Sequence, residues 1–300
     1  MRPVVTDWVP RNEITTPLDG IPTYNSSGII KAVTESGEKV SVGRIDYQEF
    51  GDEDYQYVIS PYWDIVDALT PDIFQGIPGI DMDLRLSSYY RVNYTPVFIT
   101  ERTPSENRED LWELLESVGL SYYDRFEWLL RTPLRCANDN LIVERYRPGV
   151  RTIEYRGNLP DLEIQYADTV IVGQISELAD TTGALSQTVL RLLFYGANII
   201  DKVGNPLITQ QERTAVLTVL LAQEKLKQKE YHQKRQEGIA RARKDNRYRG
   251  RKPIEVDAMT LEQVAKELEE KIITVPEAMK RLGLTSRSTF YRKMKQYGYQ

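Results

Sequence analysis

The 300-residue chain contains a single cysteine, Cys136, and a single histidine, His232. One cysteine excludes an internal disulfide framework. One histidine removes most zinc sites and the Ser-His-Asp and Cys-His schemes of nucleophilic catalysis, so neither metal nor cofactor is expected. His232 sits in the polar run Lys227-Gln-Lys-Glu-Tyr-His-Gln-Lys234, where a solvated helix position is the ordinary reading. Cys136 reads equally as a small packed residue or a reactive one. No apolar run approaches the roughly 18–20 residues a membrane span needs. Asp7, Arg11, Asn12 and Glu13 stand where a secretory signal would carry its apolar core. Together these absences point to a cytoplasmic protein with no membrane partner.

Apolar residues at 41% and charged residues at 28% are ordinary for a globular chain, and the length suits two or three domains. The net charge of −5 is an average over unlike parts. From Glu224 to Gln300 there are 20 Lys and Arg against 11 Asp and Glu, leaving the first 223 residues with 19 against 33. A basic end on an acidic body is what nucleic-acid binding requires, because each phosphate neutralised releases counterions. A merely solvated charge run has the same composition.

Along the chain, 1–93 is rich in Gly, Pro, Asp and Tyr, with alternating stretches at Glu38–Arg44 and Tyr55–Ser60 that predict short strands of a small β-rich domain. Asp81–Leu86 and Tyr89–Asn93 read as further extended structure. From 94 to 209 the pattern becomes α/β. An apolar strand is expected at Pro96–Thr100 and a helix at Arg108–Val118. A second strand is expected at Asp168–Gly173, a helix at Leu185–Phe194 and a short strand at Gly196–Asp201. Strands alternating with helices imply a parallel sheet flanked by helices. A long uninterrupted helix is expected over 210–246, apolar in its first half (Ala215 to Leu221) and polar in its second.

Residues 247–253, Arg-Tyr-Arg-Gly-Arg-Lys-Pro, crowd Arg247, Arg249, Arg251 and Lys252 around Gly250. Such an extended cationic arm suits the narrow, negative minor groove of A·T-rich DNA, and is favoured here over a plain solvated linker. From 254 to 300 three helices are expected, the first with Thr260 and Gln263 as a capping box, the second capped by Thr274, the third by Ser286. Ala278, Leu282, Phe290 and Met294 face inward, and the spacing predicts a helix-turn-helix. Its third helix presents Ser286, Arg287, Ser288, Thr289, Tyr291, Arg292 and Lys295 outward, side chains suited to base edges and phosphates of double-stranded DNA.

The order of Gly238-Ile-Ala-Arg-Ala-Arg243, Gly250-Arg-Lys-Pro253 and Ser286-Arg-Ser-Thr-Phe-Tyr-Arg292 resembles the serine recombinases of the resolvase and invertase family. The resemblance extends upstream to about Pro96 and implies a resolvase-like α/β domain, a connecting helix that self-associates, and a DNA-binding domain. The family's motifs are altered in this chain. Ile99-Thr-Glu-Arg-Thr-Pro-Ser105 places Pro104 or Thr103, not serine, at the nucleophile position. Ser176 and Glu177 replace an Asp-Arg pair, Asp180 replaces an arginine, and Lys227-Gln228 stands for Glu-Arg. Phosphoryl transfer needs cations around the phosphate, and Glu177 and Asp180 would repel it.

The resemblance therefore implies a catalytically inactive, nucleoid-associated DNA-binding protein, a transcriptional regulator or architectural factor acting as a homodimer or higher homo-oligomer. Two alternatives remain open. One is an active recombinase using Ser105 or Thr103 with Arg102. The other is an assembly protein whose N-terminal domain recruits a protein partner.

Overall fold

The computed structural model describes residues 16–51, 53–155, 164–244 and 254–299. The chain divides into two compact units, 1–228 and 229–300. In the first, β1 (Tyr24–Val33), β2 (Lys39–Glu49), β3 (Tyr55–Pro61) and β4 (Tyr89–Val92) run antiparallel, and β5 (Leu141–Arg145) joins beside β1, giving the order β4-β3-β2-β1-β5. The strands expected near 38–44, 55–60 and 89–93 lie in β2, β3 and β4. The stretch expected to be extended at Asp81–Leu86 instead holds a 3-10 turn, Met82–Leu84, where the Asp81 carboxylate accepts from the Asp83 N–H at 3.1 Å. A short acidic side chain bonding its own backbone competes with a strand ladder.

A single helical turn, α1 (Trp63–Val66), follows β3. At Pro96 the expected strand is likewise a helical turn, α2 (Val97–Thr100), with Phe98 and Ile99 fully buried. An apolar run this short carries no periodicity to separate a strand from a buried turn. Next come α3 (Leu111–Ser117), inside the expected 108–118, and α4 (Arg125–Arg131), whose first turn is capped by Asp124 accepting from the Glu127 N–H at 2.9 Å.

Strand β5 then pairs along Gly28–Ala32 of β1, so one sheet crosses the expected boundary at 93. Glycine is required there: a Cβ on Gly28 would sit 2.6 Å from Val143 Cγ1 and 2.8 Å from Leu130 Cδ2.

The second sheet has the order β6-β7-β8-β9. In it β6 (Thr152–Glu154), β7 (Thr169–Ile171) and β8 (Asn198–Ile200) are parallel and β9 (Pro206–Ile208) is antiparallel. Helix α5 (Thr182–Tyr195) makes the crossover that two parallel strands need, ending at Gly196 with φ +78°. The strand-helix-strand unit expected over 168–201 is therefore present. The expected all-parallel sheet is corrected to a mixed one, accompanied by a larger antiparallel sheet, and the first parallel strand is β6, not Pro96–Thr100.

Helix α5 packs on β2 as well as β8, and Ile30, Ile45 and Ile59 share one core with Val170, Leu192, Ile199 and Leu217. That core is why 1–93 and 94–209 do not separate. Leu217 belongs to α6 (Gln210–Lys244), a single helix of 35 residues where 210–246 was expected. Among the described residues, no helix is long and apolar enough to cross a membrane.

Candidate nucleic-acid interface

Beyond α6 the second unit contains α7 (Ala258–Glu269), α8 (Val275–Arg281) and α9 (Arg287–Gln296). Their apolar positions recur at helical spacing and close a small core of Leu261, Val264, Ala265, Ile273, Ala278, Leu284, Phe290 and Met294. Helix α7 starts earlier than the sequence pattern suggested. Asp257 is its cap, its carboxylate accepting from the Thr260 N–H at 2.8 Å and from the Thr260 hydroxyl at 2.6 Å, so Thr260 lies inside the first turn. One carboxylate oxygen accepts from both the backbone and the side chain of Thr260, so the Thr260 hydroxyl acts as a donor and not as the cap. These bonds hold the Asp257 carboxyl below the usual carboxylate range.

Helix α8 begins as expected: Glu277 accepts from the Thr274 N–H and hydroxyl, each at 2.8 Å, with Pro276 in the first turn. Bonds from Thr274 lower the Glu277 carboxyl. Gly283, at φ +64°, turns the chain after α8, and Arg281 reaches back to Glu267 of α7 at 2.5 Å. Ser286 occupies the N-cap position of α9, yet its hydroxyl pairs with that of Ser288 at 2.8 Å and caps no backbone donor.

Helix α9 is split lengthwise. Phe290 and Met294, one turn apart, are buried at 1% and 7% exposure. Arg287, Ser288, Tyr291, Arg292 and Lys295 are exposed, as is Ser286 before the helix, while Thr289 is half-buried. The structure thus brings seven expected site residues onto one short segment. The other five, Arg247, Arg249, Gly250, Arg251 and Lys252, lie outside the described residues.

The charge on this segment has one sign. Of the acidic groups of α7 and α8, Glu277 is taken up in a cap, and Glu262 and Glu267 in ion pairs with Lys266 at 3.0 Å and Arg281 at 2.5 Å. No Asp or Glu follows Glu277 to the end of the chain. Among the described residues, no ion pair engages Arg287, Arg292 or Lys295. Lys280, exposed in the last turn of α8, joins this cationic field without having been singled out from the pattern. The missing acids after Glu277 were the signal for it.

In the first unit, the residues matched to recombinase chemistry are placed differently. Arg102 has no exposed side-chain surface. It donates to the Phe98 carbonyl at 2.8 Å, pairs with the Asp139 carboxylate, and stacks over the Phe98 ring at 4.1 Å. Ser105 is exposed and Thr103 half-buried in the loop after α2, which belongs to neither sheet. Glu177 and Asp180 are exposed near the end of β7, and Glu177 accepts from the Gly173 N–H at 2.9 Å. Glu101, Cys136 and Asp139 have ligand atoms within 4.8 Å of one another, the one group among the described residues that could hold a metal. Asp139 there is already the partner of Arg102.

A scan against models of protein families finds no match for the chain, and a search of curated proteins finds none either.

Proposed function

We propose that residues 254–299 form a helix-turn-helix and that the chain binds double-stranded DNA through α9, with Arg247, Arg249, Arg251 and Lys252 adding minor-groove contacts. The observation that carries this is the two-sided character of α9. Phe290 and Met294 fix one face in the core, while Arg287, Ser288, Tyr291, Arg292 and Lys295 leave the other open and cationic. Arg offers the bidentate donors that match guanine O6 and N7, and a solvent-facing helix of this width enters a major groove. Binding to a set of duplexes selected from random sequence, measured by fluorescence anisotropy, tests it. A selected site bound with the affinity of arbitrary DNA would reject sequence-specific recognition.

The DNA-bound species is proposed to be a homodimer. On α6, Ala215, Val219, Ala222 and Leu226 follow one another at intervals of four, three and four residues and are all exposed, Val219 at 66% and Leu226 at 62%. That interval is the seam spacing of paired helices. Ala222 and Leu221 also line a cavity of about 620 Å³ beside α5, rimmed by charged residues such as Arg191, Glu224 and Lys225, which offers a partly apolar seat to a second copy.

Strand cleavage is not part of the proposal. An arginine with no exposed side-chain surface, bonded to Phe98 and paired with Asp139, is not presented to a phosphate, and exposed Glu177 and Asp180 add repulsion. The biological role that fits is a transcriptional regulator or architectural factor.

A further inference from the structure

At one end of the antiparallel sheet the core face changes character. Deeper along the strands it is aliphatic and sealed, with Ile30, Ile45 and Ile59 at 0% exposure. Past Phe126 of α4 it becomes tyrosine. The register sets Tyr24 opposite Glu49, Glu49 opposite Tyr55, and Tyr47 between Ser26 and Tyr57. Tyr47 is the hub, its ring centroid 6.3 Å from Tyr24, 6.0 Å from Tyr55, 4.9 Å from Tyr57 and 5.8 Å from Phe126. Tyr24 is 40% exposed, and Tyr122, on the chain leading into α4, is 62% exposed.

Carboxylates edge these rings. Glu49 accepts from the Tyr47 hydroxyl at 2.9 Å and remains exposed, and Glu53 and Asp54 follow in the adjoining β2–β3 turn. Asp124 lies close enough to help raise the phenols of Tyr24, Tyr47 and Tyr57, behind burial as the main cause. Between Arg44 and Arg85 the sequence holds no Lys or Arg at all. The basic residues that approach from α4 and β5 are engaged, Arg125 with Glu106 at 2.7 Å and Arg145 with Glu127 at 2.6 Å.

Aromatic faces attract cations through the ring quadrupole, and guanidinium groups stack on them better than ammonium does. We propose that this tyrosine shelf is a docking surface for an arginine-bearing segment of a partner protein, with Tyr24, Tyr47 and Tyr55 receiving the guanidinium planes and Glu49, Glu53 and Asp54 their charge. The partner's chemistry follows from complementarity: a surface with ring faces and carboxylates and, among the described residues, no free cation at its centre selects a basic segment. The inference is independent of DNA binding, which uses the opposite charge.

The test uses the full-length protein and a fluorescently labelled nona-arginine peptide at 0.15 M salt, read by anisotropy, with nona-lysine in parallel. Tyr24→Ala and Glu49→Gln should each weaken nona-arginine binding, and together by about tenfold or more, given cation–π contributions on the order of 1 kcal/mol. Tyr24→Phe, which keeps the ring, should bind like the parent. Glu230→Gln, the same charge change on exposed α6, should leave affinity unchanged. Equal loss in Glu230→Gln and Glu49→Gln, equal affinity for lysine and arginine peptides, or no binding by the parent would each overturn the proposal. Far-ultraviolet circular dichroism of Tyr24→Phe and Tyr24→Ala separates loss of the site from loss of the fold.

Discussion

The Arg213 guanidinium in the first turn of α6 lies 2.5 Å from the Asp64 carboxylate of α1, with 3% and 12% of the two side chains exposed. Around this pair, Tyr166 donates to Asp64 at 3.1 Å, Thr214 donates to the Asp64 carbonyl at 2.9 Å, and Arg213 also donates to Asn198 at 2.9 Å. The start of the long helix is thereby fixed to Asp64, 149 positions before Arg213 in the chain. Removing one member of a buried pair leaves the other charge without a partner, at a cost of about 3–5 kcal/mol. Asp64→Ala should lower the urea midpoint accordingly. A change below about 1 kcal/mol would mean that water replaces the carboxylate without penalty.

The same network predicts a loss of stability in alkali. Burial, with the Asp64 carboxylate beside it, pushes the Tyr166 phenol up to about 12. In the unfolded chain a tyrosine ionises near 10. Below that value both states hold the proton and the contribution to stability is constant. As pH rises from about 10 toward 12 the unfolded state releases the proton first and stability falls. Burial raises Tyr47, Tyr57 and Tyr62 as well, so their effects share this sign. Denaturant midpoints between pH 8 and pH 11.5 should decline above pH 10, and Tyr166→Phe should make the decline shallower. An unchanged slope in Tyr166→Phe would show that the phenol titrates normally.

How much of this was legible beforehand depends on the range of the contacts. The α9 pattern is local: Phe290 and Met294 at helical spacing and the polar, basic side chains opposite them are visible in ten residues. The strand-helix-strand run from Asp168 to Asp201 was legible for the same reason. The pairing of β5 with β1 was not, because Leu141 to Arg145 meets Gly28 to Ala32 across more than 100 residues and no local signal encodes a partner strand. Arg102 shows the limit most clearly. Its match to the arginine of the recombinase motif implied a role at the phosphate, and only Asp139, 37 residues away, reveals that it is paired inside the fold.

Helix α9 should separate folding from binding. Phe290 is 1% exposed at the centre of the three-helix core, and its replacement by alanine should cost about 3–5 kcal/mol, enough to unfold a unit this small. Phe290→Ala should therefore lose DNA binding together with helical circular dichroism signal. Arg287→Ala with Arg292→Ala should keep the signal and lower the slope of log affinity against log salt by about 1 for each phosphate contact removed. An unchanged salt slope in that double variant would move the contact surface away from α9.

The α6 stripe gives an association prediction that leaves the core untouched. Val219 and Leu226 point into solvent, so Val219→Glu with Leu226→Glu should preserve thermal stability while introducing like charges into any seam between two copies. Sedimentation velocity should show a dimer for the parent and a monomer for the variant. A dimer in both would place the interface elsewhere.

Strand cleavage by a serine or threonine leaves a covalent phosphodiester between protein and DNA, so trapping that adduct is a direct measurement. Attack on a phosphodiester requires cations at the phosphate, and losing one such partner costs about 100–1,000-fold in rate. Arg102 is committed to Phe98 and Asp139, and Glu177 is held at the Gly173 N–H with its charge uncompensated by any ion pair among the described residues. Incubation with supercoiled plasmid carrying the selected site should yield bound complex and no adduct, and Ser105→Ala and Thr103→Ala should bind with the parent's affinity. An adduct that disappears in either variant would assign that residue as nucleophile, and would require Arg102 to leave Asp139 during the reaction. Asp139→Asn then becomes informative: by loosening Arg102 it should raise the adduct yield if the arginine is recruited, and should leave the yield at zero if the buried pair serves only the fold.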